Sequence, residues 1–258
     1  MTTVPLNFKT APGHQILAAA GKTVLRPGGI AATEQLLDWA NFQPGETVLE
    51  LASSFGESAI AIAQRFGVRV VGVEKNPDSV ERSRQNIRAA GLDSQIEIIE
   101  GDIFRLEEIP GEFDYVLAEA ILTLQSLPGK TKLVKSIRQK LKPGGKFLSQ
   151  EMLVRDKEEE IHQVLAKVIR VNSSPLSLTH WQELYAEAGL PVQYSHSGGM
   201  ELLSLKQLIR DEGLGGTIRI AKNILTNPPL RERVLEMRRT YLNYQNELGY
   251  VALCAVAQ

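Results

Sequence analysis

Short apolar runs alternate with longer, helix-periodic segments from about residue 46 to residue 154. The runs TVLELA, RVVGVE, QIEIIEGD, FDYVLAEA and KFLSQEMLV have the β-branched character of buried strands. Between the second and third runs, residues 76–91 have clear helix ends, because Asn76 can cap, Pro77 suits the first turn and Gly91 suits the stop. Residues 130–145 are predicted to form another helix that closes in a Pro-Gly-Gly turn. This alternation predicts parallel βαβ units.

Helical patterns predominate after residue 154, and strand character returns in PVQYSHSGG and at the end in GYVALCAVAQ. We therefore predict a single α/β domain with a doubly wound, seven-stranded sheet and a helical insertion before its last strand. Its predicted parts are an N-terminal cap segment (1–25), a core (26–153 and 173–199), a cap helix (154–172), a helical lid (200–247) and the last strand (248–258).

Composition narrows the function classes. The 258 residues are 43% hydrophobic, which allows a substantial core, and the net charge of -1 gives no global basic field for nucleic acid. Cys254 is the single cysteine, so an internal disulfide and a Cys-rich metal cluster are excluded, as in a reducing compartment. No signal segment or run of roughly 20 apolar residues is found. We expect a cytoplasmic protein with no membrane span.

Two further patterns bear on partners. The four histidines, at positions 14, 162, 180 and 196, are too scattered for metal-ligand spacing, so no metal is predicted. Residues 231–245 are basic and aromatic, but Val234, Leu235, Met237, Tyr241 and Leu242 fall near helical spacing and predict a packed face. The expected partner is a small-molecule acceptor, not nucleic acid. The oligomeric state is left open.

The residues that follow the strands form the candidate site, because parallel sheets bind ligands at the carboxyl ends of their strands. Small residues in ELASSFG follow the first strand and allow close backbone approach. Glu74 follows the second strand and could accept hydrogen bonds from both hydroxyls of a ribose, while Asp102 follows the third and could accept one from an exocyclic amine. Glu119 ends the fourth strand. Three carboxylates without a phosphate-loop lysine predict a nucleoside that carries a positive charge.

Five motifs in order resemble those of class I S-adenosylmethionine-dependent methyltransferases, of the small-molecule group that includes quinone-biosynthesis enzymes (methyltransferase type 11). They are VLELASSFG, VVGVEKN, EGDIFRL, FDYVLAEAIL and LKPGGKFL, within about residues 26–153. The resemblance implies a Rossmann-like sheet, mostly parallel with an antiparallel last strand. It also implies S-adenosylmethionine as cofactor, S-adenosylhomocysteine as product, and methyl transfer by in-line displacement.

The same resemblance assigns candidate cofactor residues. It implies that residues 50–56 lie along the methionine part, that Glu74 holds the ribose, and that Asp102 and Ile103 frame the adenine. The segment LRPGGIAATEQLLDW adds Arg26 as a candidate for a carboxylate. The full predicted cofactor set is Gly28, Thr33, Glu50, Ala52, Ser53, Ser54, Gly56, Glu74, Lys75, Asp102, Ile103, Ala118 and Glu119.

No motif identifies a catalytic residue. Methyl transfer needs mainly alignment of donor and acceptor, and a base is useful only if the acceptor must lose a proton. Glu119, His14 and His162 are candidates by placement alone. Two other functions stay open: a non-catalytic protein of the same fold that binds S-adenosylmethionine or S-adenosylhomocysteine, and an NAD-type oxidoreductase. The second is disfavoured because G-x-G-x-x-G is absent after the first strand.

Overall fold

A seven-stranded sheet forms the centre of the molecule. The computed structural model describes residues 6–258, so residues 1–5 of the predicted cap segment lie outside the described part. The strands are β1 (Thr47–Leu51), β2 (Arg69–Glu74), β3 (Ile96–Glu100), β4 (Phe113–Glu119), β5 (Leu141–Val154), β6 (Val192–Gly199) and β7 (Leu248–Val256). Their order is β3-β2-β1-β4-β5-β7-β6, and β7 runs antiparallel to both neighbours. The predicted fold class is confirmed.

The described residues also form nine α-helices and two short 3₁₀ turns, at Ile103–Glu108 and Leu122–Leu124. The helices are α1 (Gly13–Ala19), α2 (Gly29–Ala40), α3 (Glu57–Phe66), α4 (Pro77–Ala89), α5 (Leu127–Lys140), α6 (Glu158–Ile169), α7 (Leu178–Ala186), α8 (Leu205–Thr226) and α9 (Pro228–Asn243). None of these helices is long and apolar enough to cross a membrane. The Asn76 cap is confirmed, since its side chain accepts hydrogen bonds from the N–H groups of Asp78 and Ser79.

Apolar side chains pack on both faces of the sheet. Helices α2, α3 and α4 cover one face, where Leu36 and Ile62 meet the strand residue Val48. Helices α5 and α7 cover the other, where Ile137 and Trp181 are fully buried. Alternate residues of each strand point to opposite faces of the sheet, so each strand contributes side chains to both apolar layers. This leaves the carboxyl ends of β1, β2, β3 and β4 at one edge.

A third apolar cluster joins the helical lid to the sheet. Helices α1, α6, α8 and α9 bury side chains such as Ile161, Leu165 and Met237 against Met152 and Val154 of β5. This cluster lies at the carboxyl end of β5, beside the edge where the candidate site residues are collected.

Three local predictions were wrong. Helix α5 begins three residues early because Ser126 caps it, and β5 begins at Leu141 rather than Lys146, with a register shift opposite Phe113 and Tyr115. On α9, Val234, Met237 and Tyr241 are buried as predicted, but Leu235 and Leu242 are exposed. The reason is angular: steps of 100° per residue turn positions 235 and 242 away from the buried stripe.

Buried ion pairs bind helix α8 to the N-terminal segment. Lys22 Nζ lies 3.5 Å from Asp211 Oδ2 and 3.5 Å from Glu212 Oε1, with all three side chains almost fully buried. Glu212 also accepts hydrogen bonds from the N–H groups of Thr23 and Val24, and Asp211 accepts one from the N–H of Ile30. The first half of α8 is therefore bound to the chain that leads into α2.

Replacing Lys22 with Met is expected to lower the free energy of unfolding by about 3–5 kcal/mol, because two buried carboxylates lose their cation. Chemical denaturation followed by circular dichroism measures this change. The matched control is Arg105→Met, which breaks an exposed ion pair with Glu108 and should cost no more than about 1 kcal/mol. Equal losses of unfolding free energy in both variants would show that the buried ion pairs of Lys22 contribute no more than an exposed pair.

Candidate functional site

The candidate site lies where the strand order reverses, between β1 and β4. The helices that follow these two strands lie on opposite faces of the sheet, and parallel sheets bind ligands at such a point, beyond the strand ends. Glu50 pairs in register with Gly72 of β2 on one side and with Leu117 of β4 on the other. Glu119, at the end of β4, pairs in register with Gln150 of β5. The sheet thus brings the carboxylates of the first and fourth strands to one edge.

The loop after β1 has the backbone of a glycine turn although two of its residues are not glycine. Ala52 has φ 56°, Ser54 has φ 49° and Gly56 has φ 76°, all in the left-handed region. A residue with a Cβ costs roughly 1–2 kcal/mol in this conformation. The loop therefore follows a strained path into the first turn of α3, whose N–H groups have no partner within the helix and no side-chain cap.

Glu74 holds this loop in place from the neighbouring strand. Its carboxylate accepts hydrogen bonds from the N–H of Ser54 at 2.9 Å and from the N–H of Asn76 at 2.8 Å. The N–H of Ser53 donates to the carbonyl of Val73 at 3.1 Å. The end of β2 and the loop after β1 therefore form one hydrogen-bonded unit.

Asp102 lies at the next strand end and is paired with Lys75. Lys75 Nζ is 2.8 Å from Asp102 Oδ2, and the N–H of Phe104 donates to Oδ1 at 3.0 Å. The hydrogen bond from Lys75, with that from Phe104, holds the pKa of Asp102 below its usual value. Because the Lys75 side chain is largely exposed, it can move aside for a ligand at modest cost.

Glu119 is the centre of a half-buried polar network. Arg26 Nη1 donates to its Oε2 at 2.6 Å, and both Thr33 Oγ1, at 2.6 Å, and Gln150 Nε2, at 2.5 Å, donate to its Oε1. The Gln150 side chain also accepts a hydrogen bond from the N–H of Gly28 at 3.1 Å. This network joins β4, β5 and the segment before α2.

Glu50 is buried beside that network without a full set of partners. Its Oε2 has no hydrogen-bond partner, and neither does the buried Nε of Arg26. Burial, reinforced by the negative charge of Glu119 and opposed by Arg26, raises the pKa of Glu50 to about 8. An unpaired carboxylate oxygen and an unpaired guanidinium N–H thus lie at the same edge, which suits a ligand that carries both an ammonium and a carboxylate group.

Three consecutive polar residues of β5 were not identified from the sequence. Ser149, Gln150 and Glu151 are completely buried in a stretch of strand whose other residues are apolar. Glu151 accepts hydrogen bonds from the N–H groups of residues 121, 122 and 123, and burial raises its pKa to about 7. The sequence did contain a signal for them. Polar residues within an apolar strand indicate buried hydrogen bonds, because buried polar groups require partners. Glu151 fixes the loop that follows β4.

The side chains of the other predicted site residues lie outside these hydrogen-bonded groups. Ala118 is fully buried in the core, and the partly buried Ile103 packs against that core. Ser53 is buried, and its hydroxyl oxygen has no hydrogen-bond partner. His162, on α6, is within 2.6 Å of the carbonyl oxygen of Pro175, and His14 is exposed on α1. Neither histidine is hydrogen-bonded to the Glu119 network. Within residues 6–258, no group of three His, Cys, Asp or Glu side chains is arranged to hold a metal.

Comparisons with known proteins agree with this architecture. Residues 42–189 match a family described as a methyltransferase domain. A protein of Haemophilus influenzae, described as uncharacterized, is 34% identical over 96% of this chain and 98% of its own length. Methyltransferase GfsG of Streptomyces halstedii is 23% identical over 73% of this chain and 66% of that protein.

A solved structure extends the comparison to the whole fold. The SAM-dependent methyltransferase from Geobacter sulfurreducens, in complex with S-adenosyl-L-homocysteine, matches 100% of both chains with a TM-score of 0.70 and 16% identity. At that identity the likeness shows a shared fold.

Replacing Ala52 with Gly is expected to leave the free energy of unfolding unchanged or to raise it by up to about 1 kcal/mol, because relief of the left-handed strain offsets the added chain entropy. The control is Ala61→Gly on the exposed side of α3, which should lose about 1 kcal/mol. Urea denaturation compares the two. If Ala52→Gly lowered the free energy of unfolding as much as Ala61→Gly does, the backbone at Ala52 would not be strained.

Replacing Glu50 with Gln is expected to flatten the pH dependence of stability. The pKa of Glu50 is raised in the folded state, so the protonated side chain contributes stability that is fully present below about pH 4.5, its ordinary pKa, and is lost as the pH rises through about 8. The variant should match the parent near the lower limit and exceed it at pH 8 by on the order of 1–3 kcal/mol. Unfolding curves across this range test it, with the exposed Glu97→Gln as control. If the free energy of unfolding depended on pH in the same way in the parent and in E50Q, the raised pKa of Glu50 would be contradicted.

Proposed function

Because the chain belongs to the class I S-adenosylmethionine-dependent methyltransferases, we propose that it transfers a methyl group from that cofactor to a small-molecule acceptor. The observation that carries the proposal is the set of acidic residues at three neighbouring strand ends, Glu50, Glu74 and Asp102. Bound S-adenosylmethionine supplies a methyl group on a positively charged sulfur, which is already activated for displacement.

The unpaired groups beside β1 fit the amino-acid end of this cofactor. We assign the unpaired Oε2 of Glu50 to its ammonium group and the unpaired Nε of Arg26 to its carboxylate. Ionised Glu50 would complete its hydrogen bonding on contact with a cation, and a buried carboxylate with a cationic partner is stabilised in its charged form. The loop that follows β1 consists of small residues, Ala52, Ser53 and Ser54, which allow close approach of a ligand to the backbone.

The nucleoside end is assigned to the next two strand ends. Glu74 would accept hydrogen bonds from the ribose hydroxyls, with Lys75 beside it. Asp102 would accept one from the adenine amine, with Ile103 against the ring. Both carboxylates now accept backbone N–H groups, so their oxygen atoms are already oriented before a ligand binds. Preorganised acceptors lower the entropic cost of binding.

Alignment and exclusion of water are the main tasks left to the protein, and positioning of this kind can supply about 7–11 kcal/mol of a barrier. Glu119 accepts hydrogen bonds from the side chains of Arg26, Thr33 and Gln150, which suits a positioning group. Its role would be to fix Arg26 and Thr33 near the methionine end, with Gly28 held through Gln150. His14 and His162 remain candidates for a base that only some acceptors would need.

We place the acceptor beside the loop after β4, under the N-terminal segment and the lid. Glu151 holds that loop through three backbone N–H groups, and α1, α6, α8 and α9 form an apolar cluster next to it. These surroundings support a small, partly apolar acceptor. The non-catalytic alternative keeps the same cofactor contacts and differs only in turnover.

Calorimetric titration with S-adenosylhomocysteine tests the cofactor assignment. The parent protein is expected to bind, and Glu74→Ala and Asp102→Ala should each weaken binding about 10- to 100-fold, because each removes a charged hydrogen-bond acceptor worth about 1.5–3 kcal/mol. Glu97→Ala, an exposed acid on the outer strand β3, is the matched control and should bind like the parent.

Three results would redirect the proposal. Absence of binding by the folded parent would end the cofactor assignment, and binding of NADH instead would favour the oxidoreductase. Tight binding without turnover over a broad panel of phenols, amines and acids would favour the non-catalytic alternative.

A further inference from the structure

Helix α8 carries an exposed apolar face on the outside of the lid. Leu214, Ile218 and Leu225 are each 68% exposed, and with the exposed Ala221 they recur at i, i+4, i+7 and i+11. This spacing places the four side chains on one side of the helix. Before the break at Gly213, Leu205 and Ile209 are exposed in the same way. We call these six residues the α8 stripe.

The charges around the α8 stripe have one sign. Every exposed ionisable side chain of α8 is basic, namely Lys206, Arg210, Arg219 and Lys222. The two acids of the helix, Asp211 and Glu212, point inward to Lys22 and are almost fully buried. The neighbouring helix α9 adds exposed Arg231, Glu232, Arg238 and Arg239, a net charge of +2. This lid surface is therefore positive although the whole chain has a net charge of -1.

An apolar cavity opens beside the α8 stripe. It lies between α1, α8 and α9, has a volume of about 270 Å³ and is lined by residues that include Leu17, Leu205, Ile220, Leu235 and Arg238. Leu205, Leu235 and Arg238 are themselves exposed, so its mouth is on the same basic and apolar surface. A cavity of this shape can accept part of a hydrocarbon chain, with Arg238 near a negatively charged group at the mouth.

We propose that the α8 stripe and its four basic side chains dock the protein on an anionic lipid surface. Apolar side chains of an interfacial helix enter the boundary between headgroups and acyl chains, while Lys and Arg remain among the phosphates. A second copy of the chain is a poorer occupant, because pairing two α8 helices would bring Arg219 and Lys222 against like charges. The surface includes none of the residues assigned to the cofactor, so the proposal stands apart from methyl transfer.

Flotation of the intact protein with vesicles tests the proposal. We expect binding to phosphatidylcholine vesicles that contain phosphatidylglycerol, little binding to phosphatidylcholine alone, and loss of binding at high salt. Ile218→Gln and Lys222→Glu should each weaken binding about fivefold or more. The matched controls, Leu127→Gln and Lys135→Glu, alter an exposed apolar and an exposed basic residue of α5 and should bind like the parent. Thermal unfolding verifies that all four variants fold.

Three outcomes would overturn the proposal: no binding to either vesicle, equal binding to both, or equal weakening by the α5 controls. Sedimentation velocity in the absence of lipid provides the opposing test. A dimer that Ile218→Gln dissociates, without vesicle binding by the parent, would assign the α8 stripe to a second copy of the chain.

Discussion

The hydrogen-bonded ion pair between Arg26 and Glu119 is the interaction on which the candidate site depends. It joins the segment before α2 to the end of β4, and Gln150 extends it to β5 and to the backbone of Gly28. A carboxylate with so little exposure to solvent needs several donors, and Arg26, Thr33 and Gln150 supply them, so the segment before α2 must dock for Glu119 to be fully hydrogen-bonded. Glu50 lies beside this pair. Its burial is the main cause of its raised pKa, the negative charge of Glu119 adds to the shift, and Arg26 opposes it.

Much of the sheet was predictable because its signals are local. Asn76 and Pro77 mark a helix start within a few residues, and Glu74 and Asp102 follow strands whose apolar runs are unmistakable. Parallel strands end at one edge, so the position of a residue in its run already predicts its neighbourhood. The functional assignment of these residues remains a proposal.

The rest could not be predicted because it depends on long-range pairing. Lys22 meets Asp211 across 189 residues, and no local pattern indicates which of the acids lies inward. Gln150 and Glu151 interrupt an apolar strand, which shows that partners exist but not where they are. Leu235 and Leu242 were predicted to be buried because apolar spacing alone does not show which side of a helix meets the protein.

The buried ion pairs of Lys22 also explain how α8 can be bound firmly on one side and exposed on the other. Its acids are bound on the inner side by Lys22, while its bases and apolar residues face outward, and Gly213, with φ 67°, separates the two halves. Moving the first half away from α2 would leave Asp211 and Glu212 without their cation, at a cost of several kcal/mol. The second half is held by Ile220 and Ile224, which pack in the third apolar cluster, and by hydrogen bonds from Arg219 and Asn223 to backbone carbonyls before Lys22. Displacement of α8 therefore costs less beyond Gly213, where the α8 stripe has most of its residues, than in the half that is bound to Lys22.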